Sequence, residues 1–164
     1  MNYFRIYDDL DTLQKEYNIG QALQDKLGDD WKVEFYSLHY DQRKIVRLYP
    51  DSEETDGVSA TNPKEDKVFI FWNLFWDTYD DLNFGLIDKY VKLKEGGLPL
   101  RIYAYSAYGS LREMSDRNKV FVDRFGGNTV YKKSTSIMHD EYFVEMFAEE
   151  IAKNIGKIRW EEIE

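Results

Sequence analysis

Lys67-Val68-Phe69-Ile70-Phe71-Trp72 is apolar at every position after the lysine. A strand with one wet face alternates apolar and polar side chains. An unbroken apolar run marks a strand covered on both faces, the habit of central strands in parallel sheets. Leu98 to Ser106 (LPLRIYAYS) reads as another buried strand. Between the two, residues 79–94 place Leu82, Ile87, Tyr90, Val91 and Leu93 on one side of a helix that Gly96-Gly97 ends. A strand, a helix and a second buried strand in sequence require a crossover, and hence a parallel pair.

The rest of the chain repeats this alternation. Residues 3–7 (YFRIY) read as a strand, and Thr12 to Leu27 as a helix with Leu13, Tyr17, Ile19, Leu23 and Leu27 at near-helical spacing and Gly28 as its stop. Gly20 inside that helix signals close packing on the sheet. Trp31 to Leu38 mixes alternation with aromatic bulk and reads as a strand. Residues 39–66 read mostly as loop, with Arg43 to Tyr49 as a strand or a helical turn. After Ser106 come a helix carrying Met114, Val120, Phe121 and Phe125, a fifth strand at 129–137, and a last helix at about 140–155. The expectation is one domain over residues 1–164: a three-layer α/β fold with a doubly wound, parallel, five-stranded sheet.

Composition narrows the function. With 43% hydrophobic residues and 16% aromatics the chain can build a core. It carries 22 basic against 31 acidic residues, net −9, so there is no basic footprint for nucleic acid or an anionic membrane surface. It has no cysteine, which excludes disulfides, thiolate zinc sites and cysteine nucleophiles. The opening MNYFRIYDD lacks the shape of a secretory leader, and no apolar run reaches membrane-spanning length. A cytoplasmic location is the expectation.

In doubly wound sheets ligands bind beyond the carboxyl ends of the strands, where the strand order reverses. The segments in question are 8–15, 73–79 and 105–111. The second holds Phe75-Trp76-Asp77-Thr78, and the third Tyr105-Ser106-Ala107-Tyr108-Gly109-Ser110. These two segments, with Gly126-Gly127-Asn128-Thr129-Val130 entering the fifth strand, resemble the flavodoxin-like family. The resemblance covers most of the chain and implies the strand order 2-1-3-4-5. It also implies FMN as cofactor, with electron transfer or flavin-dependent reduction as the function and a redox protein as partner. Trp76 and Tyr108 would then stack on the flavin ring. Thr12, Gln14 and Lys15 would take the phosphate, and Asp77, Thr78, Ser106 and Gly109 would supply polar or close backbone contacts.

The first loop departs from that family's pattern. The family places a hydroxyl- and glycine-rich run there; this chain has Asp8, Asp9 and Asp11, with Thr12 as its one hydroxyl. Two like unit charges ~4 Å apart repel by about 4 kcal/mol at a near-surface effective dielectric. Three readings of the aspartates stand side by side. They are a degenerate phosphate loop; helix caps, which favour Asp and interact well with a helix N-terminus; or an acidic pair resembling that of receiver domains, which binds Mg²⁺. For the last, Asp8, Asp9 and Ser106 fit, whereas Asn73 stands where an aspartate should end strand three, and Lys132 and Lys133 fall within the expected fifth strand. The alternative to flavin is an interaction module on the same fold, with the aromatic rim serving a protein partner. His39 and His139 fit no metal or triad spacing.

Overall fold

The computed structural model describes residues 1–8, 11–39, 42–73, 81–106 and 130–132, together with helical positions 145, 148, 149, 152 and 153. In chain order the elements are β1 (Asn2–Asp8), α1 (Thr12–Lys15), α2 (Ile19–Leu27), β2 (Trp31–His39), β3 (Lys44–Tyr49), β4 (Glu53–Glu54), β5 (Lys67–Asn73), α3 (Asp81–Glu95), β6 (Leu100–Ser106) and β7 (Val130–Lys132).

One sheet runs β4-β3-β2-β1-β5-β6-β7. From β2 to β7 every neighbouring pair is parallel. The expected five-stranded, all-parallel sheet is therefore corrected to a mixed sheet of seven. The difference comes from the stretch read as loop: β3 returns antiparallel along β2, and β4 antiparallel along β3. Arg43-Lys44-Ile45-Val46-Arg47-Leu48-Tyr49 shows no clean period because it is half covered, with only Ile45 fully buried. The new edge is two exposed glutamates long, and short charged edges resist pairing with other chains.

The helices lie on both faces. On one, Phe4, Ile6, Val33, Phe35, Phe69 and Phe71 pack against Leu13, Ile19 and Leu23 of α1 and α2 and against Ala148. On the other, Tyr7, Tyr36, Val68, Ile70 and Trp72 meet Leu86 and Tyr90 of α3 and Val58 of the segment before β5. The continuous apolar run over 68–72 is buried on both sides, as its pattern requires. Trp72 is fully buried in this core.

The helix expected over 12–27 is broken into two. Asn18 sits in the left-handed region at φ 51°, a conformation asparagine tolerates, and caps α2 by accepting from the Gln21 amide. Gly20 packs closely: a Cβ there would land 2.5 Å from Tyr49 Cδ1, on β3. The α3 helix, by contrast, lies within a residue or two of its expected bounds.

A charged group is buried beneath the second face. Arg5, 1% exposed, donates from Nε to Glu34 Oε1 at 2.9 Å and from a terminal nitrogen to Thr61 Oγ1 at 2.7 Å and Tyr90 Oη at 3.1 Å. Arg5 and Glu34 are register partners on β1 and β2. The next residues on that face, two along each strand, form an aromatic ladder: Tyr36, Tyr7 and Trp72 stack at 4.8 and 4.9 Å between ring centroids. Tyr7 also donates to the Asp56 carbonyl at 2.7 Å and shares a short hydrogen bond with Tyr90. Burial pushes the Tyr7 and Tyr90 phenols up, so they remain neutral donors. This network pins residues 56–61 over the face.

Candidate functional site

The carboxyl ends of β1, β2, β5, β6 and β7 are Asp8, His39, Asn73, Ser106 and Lys132. The chain leaves β1 for β2 on one side and reaches β5 on the other, so strand order reverses at β1. That end of β1 is the place to expect a ligand. Asn73 pairs in register with Tyr105, and Ser106 with Lys132. Strands β5 and β6 thus end side by side at this rim.

The first loop is held to β2 by Asp11. One carboxylate oxygen accepts a short hydrogen bond from Ser37 Oγ. The other lies 3.2 Å from Lys15 Nζ and 3.3 Å from His39 Nε2. Ser37 and His39 are two residues apart on β2 and so share a face. Lys15 is one helical turn beyond Asp11. Burial pushes the Asp11 carboxyl up, but hydrogen bonds from Ser37 and Lys15 and the nearby Lys15 and His39 outweigh it and hold the carboxyl below its usual range. Asp8, the register partner of Ser37, is fully buried at the end of β1. Asp11 stands in the cap position of α1 yet makes no side-chain cap bond. The capping reading is thus corrected for this residue: its carboxylate turns to Ser37 and His39 on β2 and to Lys15, and these three donors compete successfully with the helix amides.

The residues expected at the phosphate divide as follows. Thr12 is half-buried at the start of α1. Gln14 is buried in the joint between the two helices: its Nε2 donates to Asn18 Oδ1 at 2.7 Å, and its Oε1 accepts from the Gly20 amide at 2.8 Å. Its amide is engaged by α2. Lys15 is exposed and faces Asp11. Ser106 ends β6. Trp76, Asp77, Thr78, Tyr108 and Gly109 lie outside the described residues, as do Asp9 and most of the segments expected as the helix after Ser106, the fifth strand and the last helix. In the last helix, Glu145 and Glu149 are exposed, as a solvated face requires.

This first loop does not fit the phosphate of FMN. The anion's place is held by a carboxylate that has gathered the local donors, and a second carboxylate, Asp8, is buried at the end of β1 in register with Ser37. Among the described residues, no group of three or more His, Cys, Asp or Glu could hold a metal ion. No helix there is long and apolar enough to cross a membrane.

The sequence marks Asp11 as a candidate but does not point to Ser37 or His39 as its partners. The available signal was weak: a serine and a histidine two apart at the end of a strand. Arg5 and Glu34 were missed as well, although an arginine between Phe4 and Ile6 in a strand buried on both faces must have a buried partner.

No protein-family model matches the chain, and no curated protein matches it in sequence. Among solved structures, it is similar to a flavodoxin, WrbA-like protein from Agrobacterium tumefaciens, at TM-score 0.44 and 6% identity over 96% of this chain and 99% of that one. It is also similar to Smu.1420 from Streptococcus mutans UA159, at TM-score 0.48 and 14% identity over 96% of this chain and 100% of that one.

Proposed function

We propose that this chain is a flavodoxin-like interaction domain that works without FMN, its aromatic rim beyond β5 serving a protein partner. The observation that carries this reading is Asp11. Where a phosphate dianion would need free donors, Ser37, Lys15 and His39 all meet a carboxylate the chain itself supplies. Trp76 and Tyr79 follow β5 in the sequence and are the residues assigned to the partner in this reading. A net charge of −9 favours a partner with a basic face, with salt weakening the encounter.

The second reading is FMN binding for electron transfer or flavin-dependent reduction. It is favoured by the adjacency of β5 and β6, the strands that precede Trp76 and Tyr108 in the chain. One experiment separates the two. The purified chain is mixed with FMN and desalted, and its absorbance is read over roughly 350–500 nm, where oxidised flavin absorbs. The expected result is a colourless protein. Retained yellow colour at one flavin per chain overturns the flavin-free reading and installs the second. With flavin excluded, Trp76→Ala should weaken binding to a basic partner without lowering the melting temperature.

A further inference from the structure

We propose that Asp11 is a built-in anion occupying a latent oxyanion site, and that this residue decides what the rim refuses. The inference deepens the flavin-free reading and rests on it. Three donors of different chemistry converge on one carboxylate: the Ser37 hydroxyl, the Lys15 ammonium at 3.2 Å and the His39 imidazole Nε2 at 3.3 Å. A hydroxyl, an ammonium and an imidazole around a single point are the donors that charge-assisted recognition of a phosphate-like oxyanion uses. They come from two elements, β2 and α1. The loop is thereby fastened to the end of β2 by an internal ligand. With Asp11 in place, an incoming oxyanion meets negative charge and engaged donors. The Asp11 side chain is itself 25% exposed, so with its carboxylate removed the same donors face a position that solvent reaches from the rim.

Asp8 opposes any such ligand. It is buried at the end of β1, across from Ser37 in register, and remains in every variant considered. The latent site is therefore a weak one.

The test uses the full chain and inorganic phosphate as the probe, in a buffer of constant ionic strength. Amide and imidazole resonances of Lys15, Ser37 and His39 are followed by NMR during the titration. Wild type should show no saturable shift at these residues. Asp11→Ala should show one, with binding at least ~10-fold tighter than any wild-type response, equivalent to about 1.4 kcal/mol of relieved repulsion. Asp11→Asn, which keeps the size and a hydrogen bond to Ser37 but loses the charge, should fall between them and serves as the test where the alanine variant does not fold. Wild type binding phosphate at these residues as tightly as the variants overturns the inference. So does a folded variant that gains no phosphate binding there. Failure of the flavin-free reading looks different, because it appears as yellow wild-type protein, whatever the variants do with phosphate.

Discussion

Replacing Arg5 by methionine tests the central feature of the fold, a buried charge holding a strand pair and an overlying segment together. Methionine keeps most of the stem and removes the guanidinium. The substitution takes away the 2.9 Å bond to Glu34 and those to Thr61 and Tyr90. It leaves Glu34, 3% exposed, with Arg47 at 3.5 Å as its remaining cation. Removing one member of a buried ion pair typically costs ~3–5 kcal/mol, largely because the other charge stays behind in a poor solvent. Arg47 softens this, which places Arg5→Met near the lower end, about 3 kcal/mol. With a urea m-value of about 2 kcal/mol per molar, the unfolding midpoint should fall by about 1.5 M.

The double variant Arg5→Met, Glu34→Leu discriminates the cause. It removes both charges and fills the space with apolar atoms, an exchange that is often neutral or stabilising. Arg47 keeps its 2.9 Å contact to Glu53 at the surface. The double variant should recover to within about 1 kcal/mol of wild type, a coupling energy far above the error of additivity for independent sites. The measurement is equilibrium urea unfolding followed by tryptophan fluorescence and circular dichroism together. A single variant that costs under ~1 kcal/mol, or a double variant as unstable as the sum of the singles, would refute the reasoning.

Two other outcomes follow from the described geometry. Gly20→Ala adds a methyl group that must displace the Tyr49 ring or Gln14 Oε1, 2.9 Å away, and overpacking of this kind costs ~1–3 kcal/mol. That exceeds the ~1 kcal/mol that alanine gains over glycine in a helix, so the melting temperature should drop and Tyr49→Ala should restore part of it. The lowered Asp11 carboxyl contributes stability that is complete above its unfolded-state pKa and is lost as pH falls through its lower folded value. Asp11→Asn should therefore flatten the acid limb of a stability–pH profile below the usual carboxylate range, and an unchanged limb would show that Asp11 is not the group responsible.

What could be read from the chain and what could not divide along a physical line. The run Val68 to Trp72 announces a doubly covered strand because burial on two faces demands apolar residues at every position, a local rule. The α3 pattern announces its helix for the same reason. The break at Asn18 was hidden, since Leu13, Tyr17, Ile19 and Leu23 satisfy a helical period whether or not the helix is continuous. Only the cap bonds from Gln14 and Asn18 decide it. Strand β3 was hidden because an edge strand is half covered, so its residues are chosen by neighbours in space. Whether three aspartates at a strand end repel a ligand, cap a helix or grip the next strand depends on where the donors lie. Ser37 and His39 are 26 and 28 residues from Asp11 along the chain, and no local pattern encodes that distance closing. The amino-acid sequence alone determined the layered α/β architecture, because periodicity is a property of neighbours in the chain. Tertiary structure decided that the first loop carries its own anion, because electrostatic partners are chosen by proximity in space.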